Sequence, residues 1–578
     1  MSPSGVVLRR QRRVIYLNIL LVFHIVLSAC EPVARAATSQ PAPANPITVT
    51  VTSTSGIMIS TAVARILGTP NIASVQNNKL MLPDCSVGNH ISVWAPGYYI
   101  ETFPCNGSST YSIQLDELEK DNVNYSWETA QNCAGCHSDS QGRTEYSEWA
   151  QDGHSKVFVD SYFWNIYMGT DINGNRGPDT SWSIDESGQK LRLPSDSEYN
   201  PGFRLDYPSD NGNCAYCHAP AAVKAMEQGL NFATWSNTAP GRHLNVEIEG
   251  ITCDICHKVS DVLLGQDGRP FAERPGILSF LFNRPSLDQV FHIGPLIDLK
   301  PENPNVRATC SPVFSESRFC AACHYGKFFD TVIYNSYGEW LNSSYSNRET
   351  GNFRSCQDCH MPSAQEVGNT PPRARAACSA ENLNFRNFNH NMMDRYNNNG
   401  DPDLVKNAAR IEITARKEDG KINVAVRVQS VDVGHKFPTD SPLRHLILVV
   451  AAKDRNDTPL AQVGGPMIPL WGGNGNADED YAGRPGEIYA NILQDKDTSL
   501  SPTVAYWNPT LPAWDGSDTR LKPGEPTESQ YSFSVPLNGR ATITAKLVYR
   551  YAFIDIIRQK RWTINDIIVT EAMPVHVQ

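Results

Sequence analysis

The chain is 578 residues long, 40% hydrophobic and 19% charged, with a formal net charge of −11. That length allows several folded regions, and the acidic balance argues against a nucleic-acid partner. Its 15 cysteines call for an explanation in covalent or metal chemistry.

At the start, Arg9, Arg10, Arg12 and Arg13 precede an apolar run from Val14 to Val26. The run is too short for a standard membrane span. It ends in Leu27-Ser28-Ala29-Cys30, which resembles a lipobox. Residues 1–29 therefore read as a lipoprotein signal peptide, outside the folded protein, with Cys30 as the acylated N-terminus. An ordinary signal peptide or an uncleaved anchor are the other readings. Residues 30–46 are rich in Ala, Pro, Ser and Thr and read as a flexible tether between lipid and folded protein. No second apolar segment is long enough to cross a bilayer. Four arginines and no acid leave with residues 1–29, so −11 becomes −15 in the mature chain.

Residues 47–117 read as a small β-sandwich. Ile47 to Thr52 alternates apolar and polar, as a half-buried strand does. His90 to Trp94 and Tyr111 to Leu115 are further strands, with an Ala95-Pro96-Gly97-Tyr98 turn between them. This arrangement resembles a carboxypeptidase-regulatory-like module, which implies a spacer or docking domain without catalysis. His90 reads as a surface strand residue.

Residues 118–400 contain five CxxCH pentapeptides. They are Cys133, Cys136 and His137; Cys214, Cys217 and His218; Cys253, Cys256 and His257; Cys320, Cys323 and His324; and Cys356, Cys359 and His360. Two thiols at this spacing reach the two vinyl groups on one side of a porphyrin, and the next histidine falls under the iron as its axial ligand. One CxxC would also suit a redox disulfide or half a zinc site. Five copies, each followed by His, are the attachment signature of c-type haem. Five covalent haems are therefore expected, with the ten cysteines as thioether sites and the five histidines as iron ligands.

The segments between the motifs are rich in Asn, Gly, Pro, Asp and Ser. Short helices are predicted around 147–157, 220–229 and 329–341. A chain this irregular buries little core of its own. The haems would supply the missing interior, and their binding would become folding energy. Asp171 to Asp179 resembles the start of a calcium loop, but Arg176 stands where Gly is needed, so it reads as a turn-rich loop. No Gly-rich phosphate loop or GxSxG elbow is present.

Residues 401–578 turn to β structure again. Alternating or wholly apolar runs at Ala409–Ala415, Ile422–Val428, Leu446–Val450, Tyr531–Val535 and Ala541–Tyr549 are separated by turns, as in a β-sandwich. The fold class is thus α+β and irregular. A loop-rich pentahaem domain with short helices lies between two β-sandwiches.

Beyond the motifs, several segments resemble multihaem c-type cytochromes of the cytochrome c-552/c-554 type. Cys133 to His137 is followed by Glu148-Trp149 and His154; Pro201 to Asp206 precedes the second motif, and Glu249 to Thr252 the third. Gly434-His435-Lys436-Phe437-Pro438-Thr439-Asp440 and Asp518 to Gly524 are similar to parts of the β-domain that follows the haems in such proteins. The resemblance spans about residues 120–560.

Whether each iron is closed by a second ligand decides between a wire and an enzyme. His154, His243, His292, His390 and His435 are the candidate distal ligands. The resemblance implies that His435 reaches back from the sandwich to a haem. His445 is an alternative, and Met226, Met392 and Met393 compete as ligands that would raise the potential. Four further cysteines remain after haem and lipid are assigned: Cys85, Cys105, Cys310 and Cys378. An even remainder in an exported protein points to two disulfides. Cys85–Cys105 and Cys310–Cys378 are preferred, with four buried thiols as the alternative.

The expected function is electron relay outside the cytoplasmic membrane, through mostly bis-His haems, in a protein anchored by lipid in the periplasm or at the cell surface. Its acidic surface favours basic or neutral redox partner proteins. The alternatives are an oxidoreductase with one open haem, acting on a small nitrogen or sulfur compound, and a self-associating subunit of a haem filament.

Overall fold

The computed structural model describes residues 46–578 apart from 68, 70–71, 139–143, 194–200, 225–247, 287–289, 296–305, 330, 362–377, 379–388, 393–403, 407, 474–479 and 537–538. The signal peptide, Cys30, tether residues 30–45, His243, Met226 and Met393 lie outside the described residues. No helix among the described residues is long and apolar enough to cross a membrane.

Near the N-terminus two small sheets face one another. One has the order Leu80–Leu82, Ile47–Ser53, Thr110–Leu115; the other runs Ile72–Ser74, Val63–Ile66, His90–Trp94, Glu101–Pro104. The alternation in Ile47–Ser53 does what its period demands. Ile47, Val49 and Val51 are buried while the threonines between them are partly exposed. Cys85 and Cys105 are bridged inside this core. The sandwich docks on the middle of the chain through Ile100 N, which donates to Ala308 O at 2.8 Å. Trp94 Nε1 donates to Thr309 Oγ1 at 2.9 Å. Arg307 meets Glu101 and Asp116 at 2.8 and 2.9 Å. The Cys310–Cys378 bridge lies at this junction, in one apolar cluster with Trp94 and Ile100.

The C-terminal region is a larger sandwich. One sheet has the order Ala409–Glu418, Lys421–Ser430, Pro526–Ser534, Gln462–Gly464; the other runs Gly486–Ala490, His445–Asp454, Ala541–Arg550, Ile567–Glu571, with Val575–Val577 also on Ala541–Arg550. Val424, Val426 and Val428 from one sheet pack against Leu446, Leu448 and Leu547 from the other. His445–Asp454 is buried on both faces, since Ile447 and Val449 join a second cluster with Ile468, Tyr481 and Ile488. That is why its sequence is a continuous apolar run with no alternation.

Between the sandwiches the chain forms short helices and two-stranded ribbons. The helix predicted over 147–157 is interrupted. Glu145–Gln151 ends at Asp152, whose carboxylate caps a new turn, Gly153–Lys156, by accepting from His154 N. The helix predicted over 329–341 is shorter than expected. The β-branched Thr331, Val332 and Ile333 instead pair as a strand, Thr331–Tyr334, with Gly326–Phe328, and only Ser336–Leu341 is helical. Pro220–Ala222 is a 3-10 turn, and 225–229 lie outside the described residues.

The C-terminal sandwich clamps this middle region. Phe158, Trp164 and Tyr167 share a cluster with Trp507, Phe553, Ile557 and Trp562. Polar groups at the seam are paired, as burial requires. Trp507 Nε1 and Asn508 Nδ2 donate to Asp206 at 2.7 and 2.6 Å. Lys560 Nζ donates to Pro201 O at 2.7 Å and to Asn165 O at 3.1 Å.

Candidate functional site

Every CxxCH motif sits on a short helix: Ala130–His137, Ala215–His218, Cys253–Cys256, Arg318–His324 and Cys356–His360. Helical spacing puts both cysteines of a motif on one face, a turn apart, with the histidine next along. Local capping holds two of these turns. Thr252 accepts from Ile255 N at 3.3 Å, and Ser355 and Asp358 form a reciprocal capping box.

The motifs are brought together by contacts between their helices. Glu249, just before the third motif, accepts from Ala130 N at 2.8 Å, at the start of the first motif's helix. Asp254 accepts from Tyr125 Oη at 3.0 Å and is ion-paired with buried Lys258. Cys356 N donates to Ser317 Oγ at 3.0 Å, and Gln357 Nε2 donates to Phe314 O and Glu316 O, tying the fifth motif to the fourth. Gly250 has φ +75°, and a Cβ there would press on His154 O at 2.6 Å. Glycine therefore lets the approach to the third motif run directly against the turn that carries His154.

As a result, thiols of different motifs are neighbours. Cys133 lies within hydrogen-bonding reach of Cys253, Cys217 of Cys323, and Cys320 of Cys356. Cys256 is close enough to Cys320 and Cys323 to affect their charge. The first motif thus adjoins the third. The fourth adjoins the second, the third and the fifth. Chain order and spatial order differ.

The histidines follow one plan. In four of the motifs Nδ1 faces an acceptor within hydrogen-bonding distance. His218 faces Val157 O at 3.3 Å, His257 faces Ile293 O at 2.7 Å, His324 faces Asp440 Oδ2 at 3.0 Å and His360 faces Met392 O at 3.4 Å. His137 Nδ1 is 3.7 Å from Glu145. A ring anchored through Nδ1–H keeps Nε2 as its lone-pair nitrogen, which is how metal-ligating histidines are oriented.

Three of the motif histidines face a second imidazole. Ring centroids are 6.1 Å apart for His324 and His154, 6.4 Å for His257 and His390, and 6.2 Å for His360 and His435. Two metal–nitrogen bonds of about 2.0–2.1 Å plus two ring half-widths sum to ~6.3 Å. The facing imidazoles therefore fit one metal ion held between each pair. The second rings are anchored as well: His154 Nδ1 is 2.7 Å from Asp152, and His435 Nδ1 is 2.8 Å from Lys436 O. Burial pushes the proton affinity of His257 and His360 down to about 4, so both are neutral, the ligating form. At His324 burial opposes charge, but Asp440 outweighs it and carries the pKa above its ordinary value.

The other candidate histidines are placed as follows. His292 is in the Val290–Gly294 strand, one residue from the carbonyl that holds His257. Its pKa is pushed down to about 3 by burial, then by Lys258, His257 and His137, which puts it among the first and third motifs. His218 stacks on Phe163 at 4.0 Å, and His243 lies outside the described residues. His445 is buried in the sandwich, with Nδ1 3.2 Å from Leu443 O and its ring stacked on Phe553 at 4.9 Å. Met392 enters through its backbone carbonyl. His90 begins an inner strand, His90–Trp94, opposite Pro104. In the Asp171 loop, the carboxylate accepts from Asn173 N, Asn175 N and Asn175 Nδ2 at 2.8–2.9 Å and meets Arg561 at 3.3 Å, so the protein itself fills its coordination.

The sequence does not single out Asp152, and it gives Asp440 no role beyond closing the Gly434–Asp440 segment. Each is near a candidate ligand, in Asp152-Gly153-His154 and in His435 to Asp440. An acid two residues before a histidine was the available signal for Asp152. Asp440 serves a histidine 116 residues away, for which the sequence carries no local signal.

No protein-family model matches the chain, and no curated protein sequence matches it. Among solved structures the chain is similar to the crystal structure of a penta-heme cytochrome c552 from Thermochromatium tepidum. The match covers 78% of this chain and 99% of that chain, at 17% sequence identity and a TM-score of 0.48. At that distance the likeness assigns no role to any residue.

Proposed function

We propose that the protein is a multihaem c-type cytochrome that relays electrons through five covalently attached haems. The observation that carries this reading is the set of facing imidazoles at 6.1–6.4 Å, each joining a CxxCH histidine to a histidine from a distant segment. The ten motif cysteines would hold the porphyrins, and His137, His218, His257, His324 and His360 would be the iron ligands on the attachment side. His154, His390 and His435 would close the opposite side of the fourth, third and fifth sites. His292 is proposed for the first site and His243 for the second. Haem supplies a one-electron couple at each site. The chain's part would be to fill the coordination positions, anchor His218, His257, His324, His360, His154 and His435 through Nδ1 and bring the sites close together.

Export, acylation at Cys30 and attachment to the outer face of a membrane are proposed on the composition of residues 1–46. The mature charge of −15 supports a basic or neutral redox partner. The oxidised, haem-loaded protein tests the relay. Uniform low-spin ferric spectra, with no binding of cyanide, nitrite or hydroxylamine, are expected. In His154→Ala, His390→Ala and His435→Ala one haem in five should turn high-spin. A ligand-binding, high-spin haem in the unaltered protein would instead support the oxidoreductase.

A further inference from the structure

The fourth motif differs from its neighbours in what stands behind its histidines. His324 Nδ1 is 3.0 Å from Asp440 Oδ2, and His154, the imidazole that faces it, has Nδ1 2.7 Å from Asp152 Oδ1. At the fifth motif both acceptors are backbone carbonyls, of Met392 and Lys436. At the third, His257 uses the carbonyl of Ile293, and the imidazole that faces it, His390, has the Glu148 carboxylate at 3.9 Å. At the first, His137 Nδ1 is 3.7 Å from Glu145. Among the described residues, only the fourth site therefore has carboxylates within hydrogen-bonding distance behind both imidazoles. Both aspartates are fixed. Asp440 Oδ1 accepts from Asn335 N and Ser336 N at 3.0 and 2.9 Å, and its Oδ2 also accepts from Ser336 Oγ at 3.2 Å. Asp152 has a side chain with no exposed surface and accepts from His154 N at 2.9 Å. A carboxylate behind a ligating imidazole makes it a more basic ligand, and a more basic ligand favours the more highly charged, oxidised metal. The same motif is the one that adjoins three others.

We propose that Asp440 and Asp152 make the fourth site the lowest-potential station of the array, at the junction of its branches. The proposal rests on the five-haem reading and deepens it by naming two residues that act through the ligands without touching the metal. One loop of the C-terminal sandwich then has two duties. His435 closes the fifth site and Asp440, five residues on, sets the potential of the fourth.

The test is a redox titration of full-length, haem-loaded Asp440→Asn and Asp152→Asn proteins, followed by visible and electron paramagnetic resonance spectra. Asparagine suits the positive φ of 59° at position 440. Each substitution should raise the lowest of the five one-electron waves by about tenfold in the reduced-to-oxidised ratio at fixed potential, ~59 mV. The double variant should move that same wave further and leave the other four in place. Shifts in two different waves, a shift in a wave other than the lowest, or no shift in either variant would overturn the proposal. If Asp440→Asn does not accumulate, Asp152→Asn decides alone by the same criterion. All of these outcomes leave the relay standing while the five haems stay low-spin. A high-spin, ligand-binding haem would overturn the relay instead.

Discussion

The C-terminal sandwich and the motif-bearing middle bury different things. In the sandwich the interior is aliphatic and aromatic, with Val424, Val426, Leu446, Leu448, Phe533 and Leu547 fully buried and in mutual contact. In the middle, apart from the aromatic cluster at the seam with that sandwich, the apolar clusters are small, such as Val259, Val262, Val313 and Ala322. Between them stand ten thiols and the anchored imidazoles. A sandwich closes on its own side chains, because alternation along each strand supplies one complete apolar face. The short helices and ribbons of the middle offer no such continuous face, and the proposed haems would supply interior there, so that their binding would become folding energy.

The sharpest way to break this contrast is to remove the staples. With all ten motif cysteines replaced by Ala, the middle should be digested rapidly by protease while a fragment covering 401–578 survives, as read by mass spectrometry. A middle that resisted digestion equally would refute the contrast. Next in size, Leu448→Ala should cost about 4 kcal/mol by opening a cavity in a fully buried core, with the haem spectrum unchanged. Denaturant unfolding followed in both signals would show the separation. Removing the Cys85–Cys105 bridge as a double Ser variant should destabilise the N-terminal sandwich by about 3 kcal/mol, the loop-closure value for a separation of 20 residues. Redox potentials should not move.

The smallest effect concerns the seam between the two regions. Burial pushes Lys560 down to about 7, against the opposing pull of Asp171. Unfolded, the side chain titrates near 10.4. Between those values the unfolded chain binds more protons, so its contribution makes stability rise with pH from about 7 to about 10. Lys560→Met should remove that rise, a difference on the order of 2 kcal/mol, seen by comparing urea midpoints of both proteins at pH 7 and pH 9.5. Parallel curves would mean that Lys560 stays charged at the seam.

Much of this was legible in the residues because it is local. The CxxCH turns are pentapeptide features, and the strands at Ile47–Ser53 and Lys421–Ser430 announce themselves by period. Where sequence reasoning went astray, a competing local preference had been missed. The β-branched Thr331 to Ile333 turned the start of an expected helix into a hairpin strand. Asp152 broke another helix and re-capped it, which is what turns His154 toward the fourth motif.

The residues alone determined how many CxxCH motifs the protein has, which thiols and imidazoles each one offers, and that two β regions flank them. Those properties depend on spacing within a few residues. Only the tertiary structure decided which histidine faces which, that the first motif adjoins the third, and that Asp440 stands behind His324. Such pairings join segments separated by 75 to 170 residues. They follow from how helices capped by distant carboxylates and carbonyls pack, and no local pattern in the chain encodes that.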